Sequence, residues 1–117
     1  MSGDLMPVID QTIFDELKQM SGADFINELI DTFLEDSPKL IEEMESALRA
    51  NNVDTFRRAA HSLKSNAATF GANDLSVLAK ELEMLAKENK INDTGDRLRA
   101  LEEAYESVRK ELSELKS

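Results

Sequence analysis

His61, the single histidine of this 117-residue chain, has the clearest potential for chemistry. It lies in a segment whose apolar residues recur every three or four positions, a pattern typical of an amphipathic helix. These apolar residues are Val53, Phe56, Ala60, Leu63, Ala67 and Phe70. At roughly 100° per residue, His61 falls roughly 130° from the centre of this stripe, so the imidazole is expected to face water. An exposed imidazole on a rigid helix suggests chemistry or recognition rather than packing.

The side chains that share this exposed sector are small or cationic. They are Arg57, Lys64, Ser65 and Ala68, with Arg58 at the edge of the sector. Lys64 and Ser65 follow His61 by three and four positions, so both are its neighbours on the helix surface. A neutral imidazole can attack a phosphoryl group, and nearby cations would favour the neutral ring and then balance the phosphoryl charge. The pattern therefore predicts a phosphohistidine that meets another protein.

Simpler interpretations of the same residues stand beside this one. A lone exposed histidine is usually an ordinary surface residue, and Lys64 could be a solvated cation. Gly71 is expected to end the helix, because glycine readily adopts the left-handed conformation found there. Metal binding is disfavoured, since the chain has no second histidine and no cysteine to build a nitrogen or sulfur site.

The rest of the chain predicts further helices with short connections. Asp10 can cap a short first helix, and Pro38 is expected to kink one long second helix. Two more amphipathic helices follow the histidine helix, and no strand pattern is visible. We therefore predict an all-α, antiparallel up-down four-helix bundle with a short N-terminal capping helix. Residues 1–117 form one domain, of which residues 1–9 are a loose lead-in.

Composition narrows the possible functions. The absence of cysteine excludes disulfides and is compatible with a cytoplasmic location, and no apolar run is long enough for membrane insertion. The net charge of −10 argues against a nucleic-acid partner. Residues 52–71 nevertheless carry Arg57, Arg58 and Lys64 against Asp54, so this segment could attract an acidic partner site. Phe25, Phe33 and the methionines are expected in the core.

The run from His61 to Ala72 resembles the signature of histidine-containing phosphotransfer domains. In that signature a leucine, a lysine and a later glycine follow the histidine, here as Leu63, Lys64 and Gly71. The segment Phe33 to Pro38 resembles the second helix of the family, and the pair Leu82-Glu83 resembles a leucine-glutamate pair further along. Ser65 departs from the glycine that is commonest at its position, although serine is still small enough for docking.

The resemblance implies that His61 is phosphorylated, that Lys64 stabilises the phosphoryl charge, and that Gly71 ends the helix. The partners it implies are response-regulator receiver domains, a hybrid histidine kinase, or both, and the protein is expected to be a monomer. We expect Arg57, Arg58, Ser65 and Ala68 to dock the partner. No cofactor is expected in the chain itself, because the partner receiver would bring the Mg²⁺.

Two other hypotheses remain at this stage. The chain lacks a glycine-rich phosphate loop, so it should be a phosphotransfer protein without its own ATP site and not an autonomous kinase. It could instead be a non-catalytic helical adaptor or inhibitor that docks on a receiver and tolerates loss of the imidazole. It could also be the histidine-bearing domain of a chemotaxis-type kinase, in which case a kinase domain would phosphorylate it.

Overall fold

The computed structural model describes residues 8–116, and within that range it contains five α-helices and one short 3-10 helix. The helices are α1 (Gln11–Ser21), α2 (Ala23–Ala50), α3 (Val53–Thr69), α4 (Asn73–Lys87) and α5 (Gly95–Leu115), with the 3-10 helix at Ile91–Asp93. The predicted all-α bundle with a short first helix is confirmed. None of the helices in this range is both long and apolar enough to cross a membrane.

Short polar residues begin and end several helices, and the predicted cap at Asp10 is confirmed. The Asp10 carboxylate accepts hydrogen bonds from the backbone N–H groups of Thr12 and Ile13, at 3.0 and 3.3 Å. Asn52 caps α3 by accepting a bond from the N–H of Thr55 at 3.2 Å. Asn51 ends α2 in the left-handed conformation, with φ of 54°. These caps satisfy backbone groups that have no partner inside a helix.

Helix α2 runs through Pro38 without a break and spans 28 residues. Its buried side chains keep one period on both sides of the proline. They are Ile26, Ile30, Phe33, Ser37, Ile41, Met44 and Ala47. The prediction of one long helix rather than two is therefore correct, because the same face packs on the core along its whole length.

The core differs from the sequence expectation at several positions. Ile9 is buried, so this end of the predicted lead-in packs on the bundle, whereas residues 1–7 lie outside the described range. Phe25 was expected in the core but is 51% exposed, and Met20 and Met84 are also exposed. Met44 is fully buried, as expected. The expectation for Phe25, Met20 and Met84 rested on residue type alone. It was wrong because an apolar residue can lie on the surface where its side of the helix faces solvent.

Gly71 ties α1 to the turn between α3 and α4. It has φ of 78°, and its carbonyl oxygen accepts a hydrogen bond from the N–H of Asp10 at 2.8 Å. A Cβ atom at this position would lie 2.8 Å from the carbonyl oxygen of Asp10. Glycine is thus required for its backbone conformation, as predicted, and also for the close approach of α1.

Candidate functional site

The imidazole of His61 faces solvent on one side and a buried carboxylate on the other. Its side chain is 56% exposed on α3, while its Nδ1 atom lies 2.7 Å from Oε2 of Glu83 on α4. The Glu83 side chain is only 4% exposed. An ionised carboxylate can only accept a hydrogen bond, so Nδ1 carries the proton and Nε2 is the unprotonated nitrogen of the neutral ring. The contact therefore leaves Nε2 with a free lone pair.

Glu83 lies near two lysines, and the nearer one, Lys64, helps to hold it in its charged form. Lys64 Nζ donates a hydrogen bond to Oε1 at 2.8 Å, and Lys87 Nζ lies 3.7 Å from Oε2. Burial by itself raises the pKa of the Glu83 carboxyl, but the hydrogen bonds from Lys64 and His61 and the charge of Lys64 outweigh it and lower the pKa below its usual value. The carboxylate is therefore ionised at neutral pH and can stabilise positive charge on the ring.

Close packing of α3 and α4 allows a glutamate to make these contacts. Both helices bury alanines, among them Ala60 and Ala67 on α3 and Ala79 and Ala86 on α4. Small side chains let helix axes approach closely. The hydroxyl of Ser76 adds a hydrogen bond from α4 to the carbonyl oxygen of Lys64 at 3.1 Å. The backbone around the two functional residues of α3 is thus fixed against α4.

The three predicted cations of α3 all form ion pairs with carboxylates. Arg57 and Arg58 both pair with Asp54, at 2.9 and 3.3 Å, so their charge is directed toward the first turn of α3. Lys64 is near the ring, but its ammonium binds Glu83. The imidazole therefore meets a carboxylate from another helix, Glu83, and this carboxylate lies between the ring and the Lys64 ammonium.

The side of α3 that faces α2 carries shallow grooves. Residues of the two helices line them together: Leu40, Glu43, Thr55, Arg58, Ala59 and Ser62 line one, and Leu29, Thr32, Phe33, Asp36, Asn66, Thr69 and Phe70 line the other. The predicted docking residues Ser65 and Ala68 are exposed. His61 thus lies between a polar cluster toward α4 and a grooved surface toward α2.

Sequence reasoning gave Glu83 no role, although it noted the pair Leu82-Glu83. The leucines of α4 predict a face that excludes position 83, yet the buried face is rotated and includes Ala79, Glu83 and Ala86. A usable signal was present, since these three residues recur at intervals of four and three. A carboxylate between two small residues on a helix face indicates a buried charge that needs a partner.

Comparisons with known proteins point to one family. Residues 28–111 match the family model of the Hpt domain. The chain is 30% identical over 88 residues to the phosphorelay protein LuxU of Vibrio harveyi, covering 75% of this chain and 77% of that protein. It is 29% identical over 107 residues to LuxU of Vibrio vulnificus, covering 86% and 93% of the two proteins. The crystal structure of histidine-containing phosphotransfer protein B from Pseudomonas aeruginosa superposes with a TM-score of 0.89, at 25% identity and 96% coverage of both chains.

Proposed function

The chain belongs to the Hpt domain family and is a phosphorelay intermediate, and on this premise we propose that His61 is the residue that carries the phosphoryl group. The proposal is carried by one observation: a buried carboxylate 2.7 Å from Nδ1 of a ring whose other edge is open to a partner. This arrangement sets the tautomer and holds the ring in one orientation.

Transfer from a receiver begins with attack of Nε2 on the phosphorus of an aspartyl phosphate. The N–P bond forms while the bond between phosphorus and the aspartyl oxygen breaks, and the aspartate leaves as a carboxylate. Because Nε2 carries no proton in this tautomer, no base has to remove one. Positive charge that develops on the ring is stabilised by Glu83 through the proton on Nδ1. The reverse step passes the group to another receiver.

Lys64 supplies charge to the phosphoryl group in this proposal. Its ammonium lies on the side of Glu83 away from the ring contact, bound to Oε1 rather than Oε2. A lysine side chain has a long flexible stem, so the ammonium can turn from Glu83 to a phosphoryl oxygen of the modified ring. The chain needs no cofactor of its own in this scheme, and Mg²⁺ bound by the receiver would neutralise further phosphoryl charge.

Partner docking is proposed for the surface around His61. Hpt phosphorelay proteins interact with kinases and receiver domains in general, and here Arg57, Arg58, Ser65 and Ala68 would contact the receiver together with the grooves toward α2. In this proposal the receiver belongs to a response regulator or to a hybrid histidine kinase. A cytoplasmic location and a monomeric state are parts of the same proposal. The adaptor hypothesis explains less of the site, because it gives the contact between His61 and Glu83 no function.

The test is phosphoryl transfer from a panel of phosphorylated receiver domains to the wild type and to His61→Gln. We expect an acid-labile, base-stable label on the wild type and none on the variant, with unchanged circular dichroism. Label on His61→Gln would assign the phosphoryl group to another residue. Binding of a receiver without transfer from any donor would support the adaptor instead, and labelling by a kinase domain but by no receiver would support the chemotaxis-type alternative.

A further inference from the structure

The cluster around Glu83, which consists of His61, Lys64, Glu83 and Lys87, carries more positive than negative charge before His61 is phosphorylated. One carboxylate faces the two ammonium groups of Lys64 and Lys87 and the imidazole of His61. Lys64 already forms a hydrogen bond of 2.8 Å with this carboxylate. The second ammonium therefore leaves the cluster with an uncompensated positive charge next to the ring that is to be phosphorylated.

Lys87 is placed to respond when the ring changes its charge. Its Nζ atom lies 3.7 Å from Oε2, the same oxygen that accepts the bond from Nδ1 of His61. This distance is too long for a tight hydrogen bond, and the Lys87 side chain is 58% exposed. A loose, exposed ion pair between residues four apart on one helix contributes little to the stability of a fold. The ammonium can therefore leave Glu83 at low cost.

We propose that Lys87 is a second phosphoryl-binding cation, which turns from Glu83 to the phosphoryl group once His61 is modified. This inference rests on the proposed function of His61. A phosphoryl group brings a charge of about −1.5 to −2, which a single lysine shared with Glu83 balances only in part. With both lysines the cluster of carboxylate, ammonium groups and phosphoryl group comes closer to neutrality.

The decisive measurement is the equilibrium constant for phosphoryl exchange between this protein and a receiver domain that phosphorylates it. An equilibrium constant depends on the free energies of the separated proteins and not on how they dock. A role of Lys87 in docking would change the rate of exchange but leave the constant unaltered. Lys80→Gln is the matched control. Lys80 is an exposed lysine of the same helix, and its replacement by glutamine removes the same charge.

We expect Lys87→Gln to shift the equilibrium toward the phosphorylated receiver by about 3- to 10-fold, the effect of one partly screened charge contact. Lys80→Gln should shift it by less than about twofold, because charges at the surface are screened with distance. Lys87→Arg should restore most of the wild-type value. Equal constants for Lys87→Gln and the wild type, or equal shifts for the two glutamine variants, would overturn the inference. A wild type that takes no label would instead refute the role of His61 itself.

Discussion

The replacement Glu83→Gln tests the central contact of the site. Glutamine has nearly the same shape, but it carries no charge, and its amide nitrogen must face one of two hydrogen-bond donors. The wild-type carboxylate receives bonds of 2.7 Å from His61 and 2.8 Å from Lys64 in a side chain that is 4% exposed. A charge-assisted hydrogen bond contributes about 1.5–3 kcal/mol, and the half-exposed ring places its contact toward the lower end of that range.

From this we expect Glu83→Gln to lose about 1.5–2 kcal/mol of transition-state stabilisation, which slows phosphorylation of His61 about 10- to 30-fold. The assay is a rapid-quench time course with a phosphorylated receiver, performed well below the melting temperature of each variant. Glu81→Gln is the control, because Glu81 is an exposed residue of the same helix whose ion pair with Arg97 is long, at 3.8 Å. A folded Glu83→Gln protein that accepts phosphoryl at the rate of the control would refute the reasoning.

Two further predictions concern the fold. Gly71→Ala should lower the free energy of unfolding, measured by urea titration, by about 2–4 kcal/mol, because alanine would be forced into a left-handed backbone conformation and would clash at a buried turn. Gly95→Ala should be nearly neutral in the same titrations, because a Cβ atom there meets nothing within 4 Å. Glu102 shares a hydrogen bond with Glu45, and this bond, burial and the charge of Glu45 raise its pKa to about 7 despite the charge of Arg99. Because the pKa of Glu102 is higher in the folded than in the unfolded protein, the free energy of unfolding should decrease as the pH rises from about 4.5 to about 7. Glu102→Gln should flatten that decline, and an unchanged slope of unfolding free energy against pH would contradict this explanation.

Most of the architecture was predictable from the sequence because its causes are local. Apolar residues repeat with the helical period, Asp10 and Asn52 precede helices that they cap, and Gly71 ends α3. The same periodicity turns His61 away from the apolar stripe of its own helix. Each of these features depends on residues within a few turns of one another, so no knowledge of the tertiary structure is needed.

Predictions failed where one helix had to be oriented against another. The leucines of α4 indicate a face that misses Glu83, whereas the buried face of the helix also includes Ala79, Glu83 and Ala86. Phe25 is exposed, and Ile9 is buried, for the same kind of reason. The burial of a side chain depends on which element lies opposite, and the sequence of one helix does not contain that information.

By itself, then, the sequence determined a bundle of helices and an exposed histidine on one of them. The chemistry of that histidine was decided by the tertiary structure, which brings Glu83 from 22 positions later to Nδ1 and lets Lys64 and Lys87 share its carboxylate. The physical reason is that helix rotation and spacing follow from the volumes of side chains on both packed faces at once. The periodicity of one helix can indicate which side chain is exposed to water. The residue that contacts this side chain from another helix is decided only by the packing of the two helices.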